Sequence, residues 1–483
     1  LSAFQTLLGI PGAAARRSPV RRSPGSAPFH KVSSVVYRLR YLIPPAIALA
    51  VVIAIQLGGA LNAPSTATDK SLPDAGDLSP ITEISSIGAV DTSDVDRRIE
   101  FWRARTVAHP QSEGEWIALG DLFDLKGRMT GDVAQYVSAQ TAYQQAIQVA
   151  PNSSAAHSGN ARVMSTLHDF TGALVEATKT LVLDPSATAA LGVVFDASLE
   201  LGHLDQAQQA LDVLSQRSES PSIATRQARL DFLRGDTASA VALAETAASD
   251  ASDRADLPSS VAFYNYTAAE YELLAGNLDA ADAHYSTALT LLPGYPLAIY
   301  GRARVDFARG DIAGATALAT TATAALPRPD MLAFLGDLYA LTGDSAKATD
   351  QYATVDFIAS MTSSSGGRVY DREYGLYLSD HGTNVTHALE LAQNEFALRK
   401  DVYGYDALAW ALHANGRDAE ALTQIQQALS LGTVDAKLLL HAGLIELANG
   451  QMDAGRAHLS QALALNPAVS PLVVDAARKA VGR

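Results

Sequence analysis

Five of the eleven histidines fall in the last quarter of the chain: His381, His387, His413, His441 and His458. Imidazole and carboxylate together make ligands for borderline divalent metals, and Asp380 stands beside His381. No two of the five are three or four residues apart, so no single helix presents a pair on one face. A second concentration is DALAWALHANGRDAEALTQIQQAL, from Asp406 to Leu429. It gathers Asp406, Trp410, His413, Arg417 and Glu420 within a few turns, the residue types of an acid–base site. A third, DREYGLY from Asp371 to Tyr377, sets tyrosines among charges and reads as the aromatic packing stripe of a helix.

Sharper catalytic signatures are missing. The chain has no GxxxxGK[ST] phosphate loop, GxGxxG fingerprint, GxSxG elbow, HExxH pair or calcium-binding EF-hand loop. It has no cysteine, which excludes disulfides, thiol nucleophiles and thiolate metal sites. The net charge of −15 is unevenly spread: the first 68 residues carry seven Lys or Arg and no acid. The acidic remainder argues against binding a phosphate backbone, so no nucleic-acid partner is expected.

The basic head precedes YLIPPAIALAVVIAIQLGGALNA, Tyr41–Ala63, which is uncharged. A helix of that length spans about 30 Å of hydrocarbon. Arg38 and Arg40 flank its N-terminal side and acids follow only later, so the positive-inside rule sets the N-terminus in the cytoplasm and the body outside. The competing reading is a signal peptide cleaved near Gly58–Ala60, which would release the body as a secreted protein. Residues 1–40 read as a basic disordered tail, and residues 64–93 as a small, acidic, proline-containing linker.

Beyond the linker a repeat takes over. A glycine is followed five residues later by alanine at Gly202, Gly235, Gly276, Gly310, Gly343 and Gly416, with a weakened copy at Gly450. Their spacings are 33, 41, 34, 33, 73 and 34 residues, and Pro151/Pro185 and Pro293/Pro327 keep a beat of 34. A glycine in left-handed backbone ends a first helix, a small alanine lets a second helix lie close, and a proline stops the second. Such pairs bury their apolar stripes only by stacking. The expectation is an all-α solenoid over 94–483: about ten helix pairs between residues 112 and 467, a half-repeat helix before them ending at Pro110, and a capping helix in Pro471–Arg483. Residues 356–400, with SMTSSSGG, depart most and read as a degenerate unit or a flexible loop.

WIALGDLF, with Trp116, Leu119, Gly120 and Phe123, and LAFLGDLYALTGDSAKATDQY, with Leu335, Gly336, Tyr339, Gly343, Ala348 and Tyr352, resemble the tetratricopeptide repeat. The whole suggests a membrane-anchored bacterial member of that family. The resemblance implies that first helices line a concave groove that binds a protein or peptide. It places Tyr300, Arg304, Phe307, Asp330, Asp337, Tyr403, Asp406, Trp410 and His413 on that groove, with Asp121 and Asp124 in the first unit. The mixture of aromatics and acids suits an extended or helical segment, including a basic one.

Three functions follow as expectations. The first is a non-enzymatic, membrane-tethered scaffold with no cofactor. The second is an extracytoplasmic metal or small-molecule binder built on the C-terminal histidines. The third is an enzyme seated in 356–400.

Overall fold

The computed structural model describes residues 92–364 and 368–482. The expected tail, the apolar segment Tyr41–Ala63 and nearly all of the linker lie outside the described residues. Among the described residues no helix is long and apolar enough to cross a membrane.

Regular structure among the described residues is α-helical throughout. A lone helix α1 (Ser93–Ala108) precedes ten antiparallel pairs. The first five are α2 (Glu113–Thr130) with α3 (Val133–Val149), α4 (Ser154–Thr166) with α5 (Phe170–Leu183), α6 (Thr188–Glu200) with α7 (Leu204–Ser215), α8 (Pro221–Leu233) with α9 (Thr237–Asp253), and α10 (Pro258–Leu274) with α11 (Leu278–Leu291). The next five are α12 (Pro296–Ala308) with α13 (Ile312–Ala325), α14 (Pro329–Leu341) with α15 (Ser345–Ser364), α16 (Asp371–Asp380) with α17 (Val385–Leu398), α18 (Val402–Ala414) with α19 (Asp418–Leu429), and α20 (Ala436–Ala448) with α21 (Met452–Leu465). A short α22 (Val474–Ala480) follows. The irregular region thus holds a shortened helix pair, α16/α17.

The turns form for the reason the repeat suggests. The seven glycines of the sequence frame all have positive φ, from 70° at Gly416 to 87° at Gly235. The next N–H then reaches back five residues, as Asp236 does to the carbonyl of Asp231 and Arg417 to that of Leu412, both at 2.9 Å. Asp236 and Asp311 then cap the second helix by accepting from Ser239 and Gly314 N–H. The alanines five residues on, such as Ala207, Ala240 and Ala315, are fully buried. In the second pair the glycine is absent and His168 itself takes φ 61°.

The stack winds back on itself. Glu200, at the end of α6, pairs with Arg399, which directly follows α17. Thr433 donates its hydroxyl to the carbonyl of Leu233 at 2.5 Å. A Cβ on Gly202 would stand 2.6 Å from the Lys400 carbonyl oxygen, and one on Gly276 2.9 Å from that of Leu465. The inter-helix turns of pairs three, four and five therefore abut the ends of second helices roughly two hundred residues later, closing one superhelical turn on the next.

Candidate functional site

The first helices face inward, and their side chains meet in a cavity of about 320 Å3. α12 supplies Tyr300, Arg304 and Phe307, and α14 supplies Asp330, Phe334 and Asp337. α16 adds Glu373, Tyr377 and Asp380. The start of α20 adds Asp435 and Lys437, and the segment 466–471 closes one side. Five residues expected in the groove, Tyr300, Arg304, Phe307, Asp330 and Asp337, thus line one cavity.

The aromatic wall is interlocked. Phe334 packs edge to face with both Tyr300 and Phe307, with ring centroids 5.6 and 5.5 Å apart. The Arg304 guanidinium lies 5.0 Å from the Tyr300 ring centre and pairs with Glu270 of α10. Burial pushes the Tyr300 hydroxyl well above its ordinary range. Arg304, expected on the groove, is thus held half-buried by its partners.

Five carboxylates line the cavity, and four have fixed partners. Asp330 accepts from Arg328 at 3.0 Å, and Asp337 from the Tyr352 hydroxyl at 2.9 Å, with His381 Nε2 at 3.0 Å. Asp380 pairs with Lys437 at 3.1 Å, and Asp435 accepts the Lys437 and Leu438 N–H groups as the cap of α20. Glu373 forms no ion pair and no hydrogen bond to another side chain; its carboxylate accepts its own backbone N–H, and Arg372 and Arg328 lie near enough to draw its pKa down in part. Burial, with Asp330 nearby, raises its carboxyl above the usual range. Burial likewise raises Asp435.

The other four expected groove residues lie apart from this cavity. Asp406 is buried and bonds His441 Nδ1 at 2.9 Å. Trp410, 5% exposed, donates its indole N–H to Asp380 at 2.7 Å. His441 stacks flat on Trp410, centroids 4.2 Å apart at 8°. His413 bonds Asp418 at 2.5 Å, and burial pushes the Tyr403 hydroxyl well up beside Asp435. Asp121 accepts the Tyr143 hydroxyl at 2.6 Å, and Asp124 pairs with Arg162 at 3.0 Å.

The cluster in Asp406–Leu429 is therefore taken up in packing. Arg417 pairs with Glu420 at the exposed start of α19. The C-terminal histidines do not assemble into a metal site. His381, His387, His413, His441 and His458 each bond a different carboxylate: Asp337, Glu390, Asp418, Asp406 and Glu446. His381 and His387 share the pair α16/α17 and His441 and His458 share α20/α21, yet within each pair the two rings turn to different carboxylates.

The repeat type is decided by how neighbouring pairs lock. Tyr143 of α3 is fully buried between Gly120 of its own pair and Gly159 of the next. A Cβ on Gly120 would stand 2.8 Å from that ring, and one on Gly159 closer still. Gly301 against Tyr285 and Gly336 against Tyr352 repeat the arrangement. The chain folds as a solenoid of the tetratricopeptide-repeat (TPR) kind. Each tyrosine hydroxyl also reaches a carboxylate of its own pair's first helix: Asp121, Glu270 or Asp337.

No protein-family model matches the TPR array, and no curated protein matches it. Solved structures do. A tetratricopeptide repeat protein from Parabacteroides merdae is 14% identical over 55% of this chain and 93% of its own, with a TM-score of 0.41. Human IFIT1, solved as a dimer with m7Gppp-AAAA, is 13% identical over 71% and 77%, at 0.45. The type IV pilus biogenesis factor PilW is 19% identical over 42% and 91%, at 0.36. At these identities and scores the likeness carries no partner or activity over to this chain.

Sequence reasoning missed Glu373, Asp435 and Lys437 as cavity residues. The shortened pair α16/α17 breaks the glycine–alanine frame that would have placed Glu373. The other two enter only because the superhelix brings α20 opposite α12 and α14.

Proposed function

We propose that the chain is a non-enzymatic scaffold that holds a basic segment of a protein partner in its inner cavity. Glu373 carries the reading: it is a lining carboxylate with no ion-pair partner, its pKa still raised despite Arg372 and Arg328 nearby, in a cavity where acids outnumber bases. A lysine or arginine side chain entering there would form the missing pair with Glu373 and lower its raised pKa. The cavity volume lies at the small end of ligand sites, so it takes one or two side chains while the rest of the segment lies along its rim. The Tyr300–Phe334–Phe307 wall provides an apolar face for the aliphatic stem of such a residue.

The tether belongs to the same reading. Tyr41–Ala63 anchors the chain, the basic head stays in the cytoplasm, and the linker holds the array outside it. The partner is then a membrane complex or an extracytoplasmic protein. Support for the tether is the length of the uncharged run and the charge asymmetry around it. A reporter fused after Arg483 is expected to be active only outside the cytoplasm, and cytoplasmic activity overturns the orientation. A mature N-terminus mapped near Gly58–Ala60 would replace the anchor by a cleaved signal.

A photoreactive residue placed at Ala333, which lines the cavity, tests the binding site in native membranes. The same residue at Phe357, 58% exposed and outside the cavity, is the control. A crosslink from 333 alone that is lost with Glu373→Gln supports the cavity. Equal crosslinking from both positions contradicts it.

A further inference from the structure

The described residues include nine buried carboxylates. Seven pair with an arginine or histidine, as Glu115 does with Arg105 and Glu446 with His458. Asp435 caps a helix. The ninth, Glu272 of α10, is 4% exposed and has neither. Its one hydrogen bond is from Asn277 Nδ2 to Oε2, at 2.6 Å. A buried carboxyl group with a single amide partner and no counter-charge is costly.

Glu272 has company of a specific kind. Glu245 of α9 and His284 of α11 stand beside it, and the three residues place one ligand atom each within 4.8 Å of one another. The hydrogen bonds around them fix their chemistry. Asn265 donates its Nδ2 to the carbonyl of Val261 at 2.9 Å, which turns its Oδ1 toward His284 Nδ1 at 3.1 Å. Nδ1 therefore carries the imidazole proton, and Nε2 keeps its lone pair. Asn277 holds Glu272 by one oxygen and leaves the other free. An outer amide on Glu272 and on His284 is the arrangement that orients ligands around a metal.

We propose that Glu245, Glu272 and His284 bind one divalent transition-metal ion of the zinc class. One imidazole nitrogen and two carboxylates suit that class, whereas calcium and magnesium favour all-oxygen sets. Bonds of about 2.1 Å put donor atoms roughly 3.4 Å apart, and the exposed, flexible Glu245 closes the remaining gap. Water completes the coordination on the solvent side. The ion joins α9, α10 and α11, and so clamps the fourth helix pair to the fifth. The site is separate from the inner cavity, and its failure would leave the cavity reading untouched.

Full-length protein stripped with a chelator and titrated with ZnCl2 by calorimetry tests the site. One equivalent is expected to bind, to raise the thermal midpoint, and to resist competition by excess Mg2+ or Ca2+. Glu245→Gln, at a solvent-exposed position, should weaken binding at least tenfold while leaving the metal-free melting curve unchanged. His284→Ala should abolish binding. Failure of wild type to bind one equivalent, or unchanged affinity in Glu245→Gln, overturns the proposal.

Discussion

Glu200 and Arg399 meet across 199 residues of chain, both largely buried, and Arg229 approaches the same carboxylate from its own side. The pair joins one superhelical turn to the next. A buried ion pair stripped of one partner costs about 3–5 kcal/mol when the other charge is left alone; here Arg229 still faces Glu200, so the loss should fall below that range. Arg399→Ala is therefore expected to lower the thermal midpoint and to raise amide exchange first around Gly202 and Asp401. Unchanged protection at those turns would show that the contact contributes nothing.

Two glycines separate backbone strain from the contact between turns. Gly235 and Gly310 have nearly equal φ, 87° and 85°. A Cβ on Gly310 meets nothing within 4 Å, while one on Gly235 runs into the Gly432 carbonyl. Gly310→Ala should cost roughly 1 kcal/mol for the left-handed backbone alone. Gly235→Ala should cost about 1–3 kcal/mol more, because the turns are forced apart. Denaturant midpoints of the two variants decide it; equal losses would contradict the closed superhelix.

His168 makes the fold acid-sensitive. Burial first, and the charge of Arg399 second, hold its imidazole down at about 4, against about 6.5 when unfolded. Its contribution is present above the unfolded value and lost as pH falls through the folded one. Between pH 7.5 and 5 the residue should cost about 2 kcal/mol of stability. Asparagine tolerates the positive φ, so His168→Asn should fold at pH 7.5 and lose less on acidification. Parallel pH curves for the two proteins would contradict the assignment.

If the cavity takes a basic segment, Glu373 is expected to set the pH dependence of binding. Its carboxyl is raised in the free protein, and a bound cation lowers it, so binding releases protons. Affinity for a basic segment should rise with pH across the range in which Glu373 titrates, and Glu373→Gln should flatten that rise. An unchanged slope in the variant would remove Glu373 from the site.

Much of the array was legible because the repeat writes its geometry into residue types. Glycine marks the left-handed turn, alanine the close approach, and Gly120 and Gly336 the seats of Tyr143 and Tyr352. His168 shows where composition misleads, since a side chain there adopts the backbone that glycine adopts in other turns. The site was legible in part. The repeat frame assigns Tyr300, Arg304 and Asp337 to the inward face, and they reach the cavity together. The same frame assigns Trp410 inward, yet Asp380 and His441 enclose it. That difference comes from superhelical pitch, which brings α20 onto α18 and across from α12. Pitch sums small rotations over many pairs, and no single repeat carries a residue that signals it.

Under the proposed function the inner cavity takes a basic segment through Glu373. The most direct measurement is the affinity of the full-length protein for a labelled lysine- and arginine-containing peptide, by fluorescence anisotropy. Wild type is compared with Glu373→Gln and with Asp205→Asn, an exposed acid outside the cavity. The predicted result is binding that Glu373→Gln weakens about tenfold, the worth of one desolvated charge-assisted bond, and that Asp205→Asn leaves unchanged. Equal effects of the two substitutions, or no binding by wild type, would contradict it.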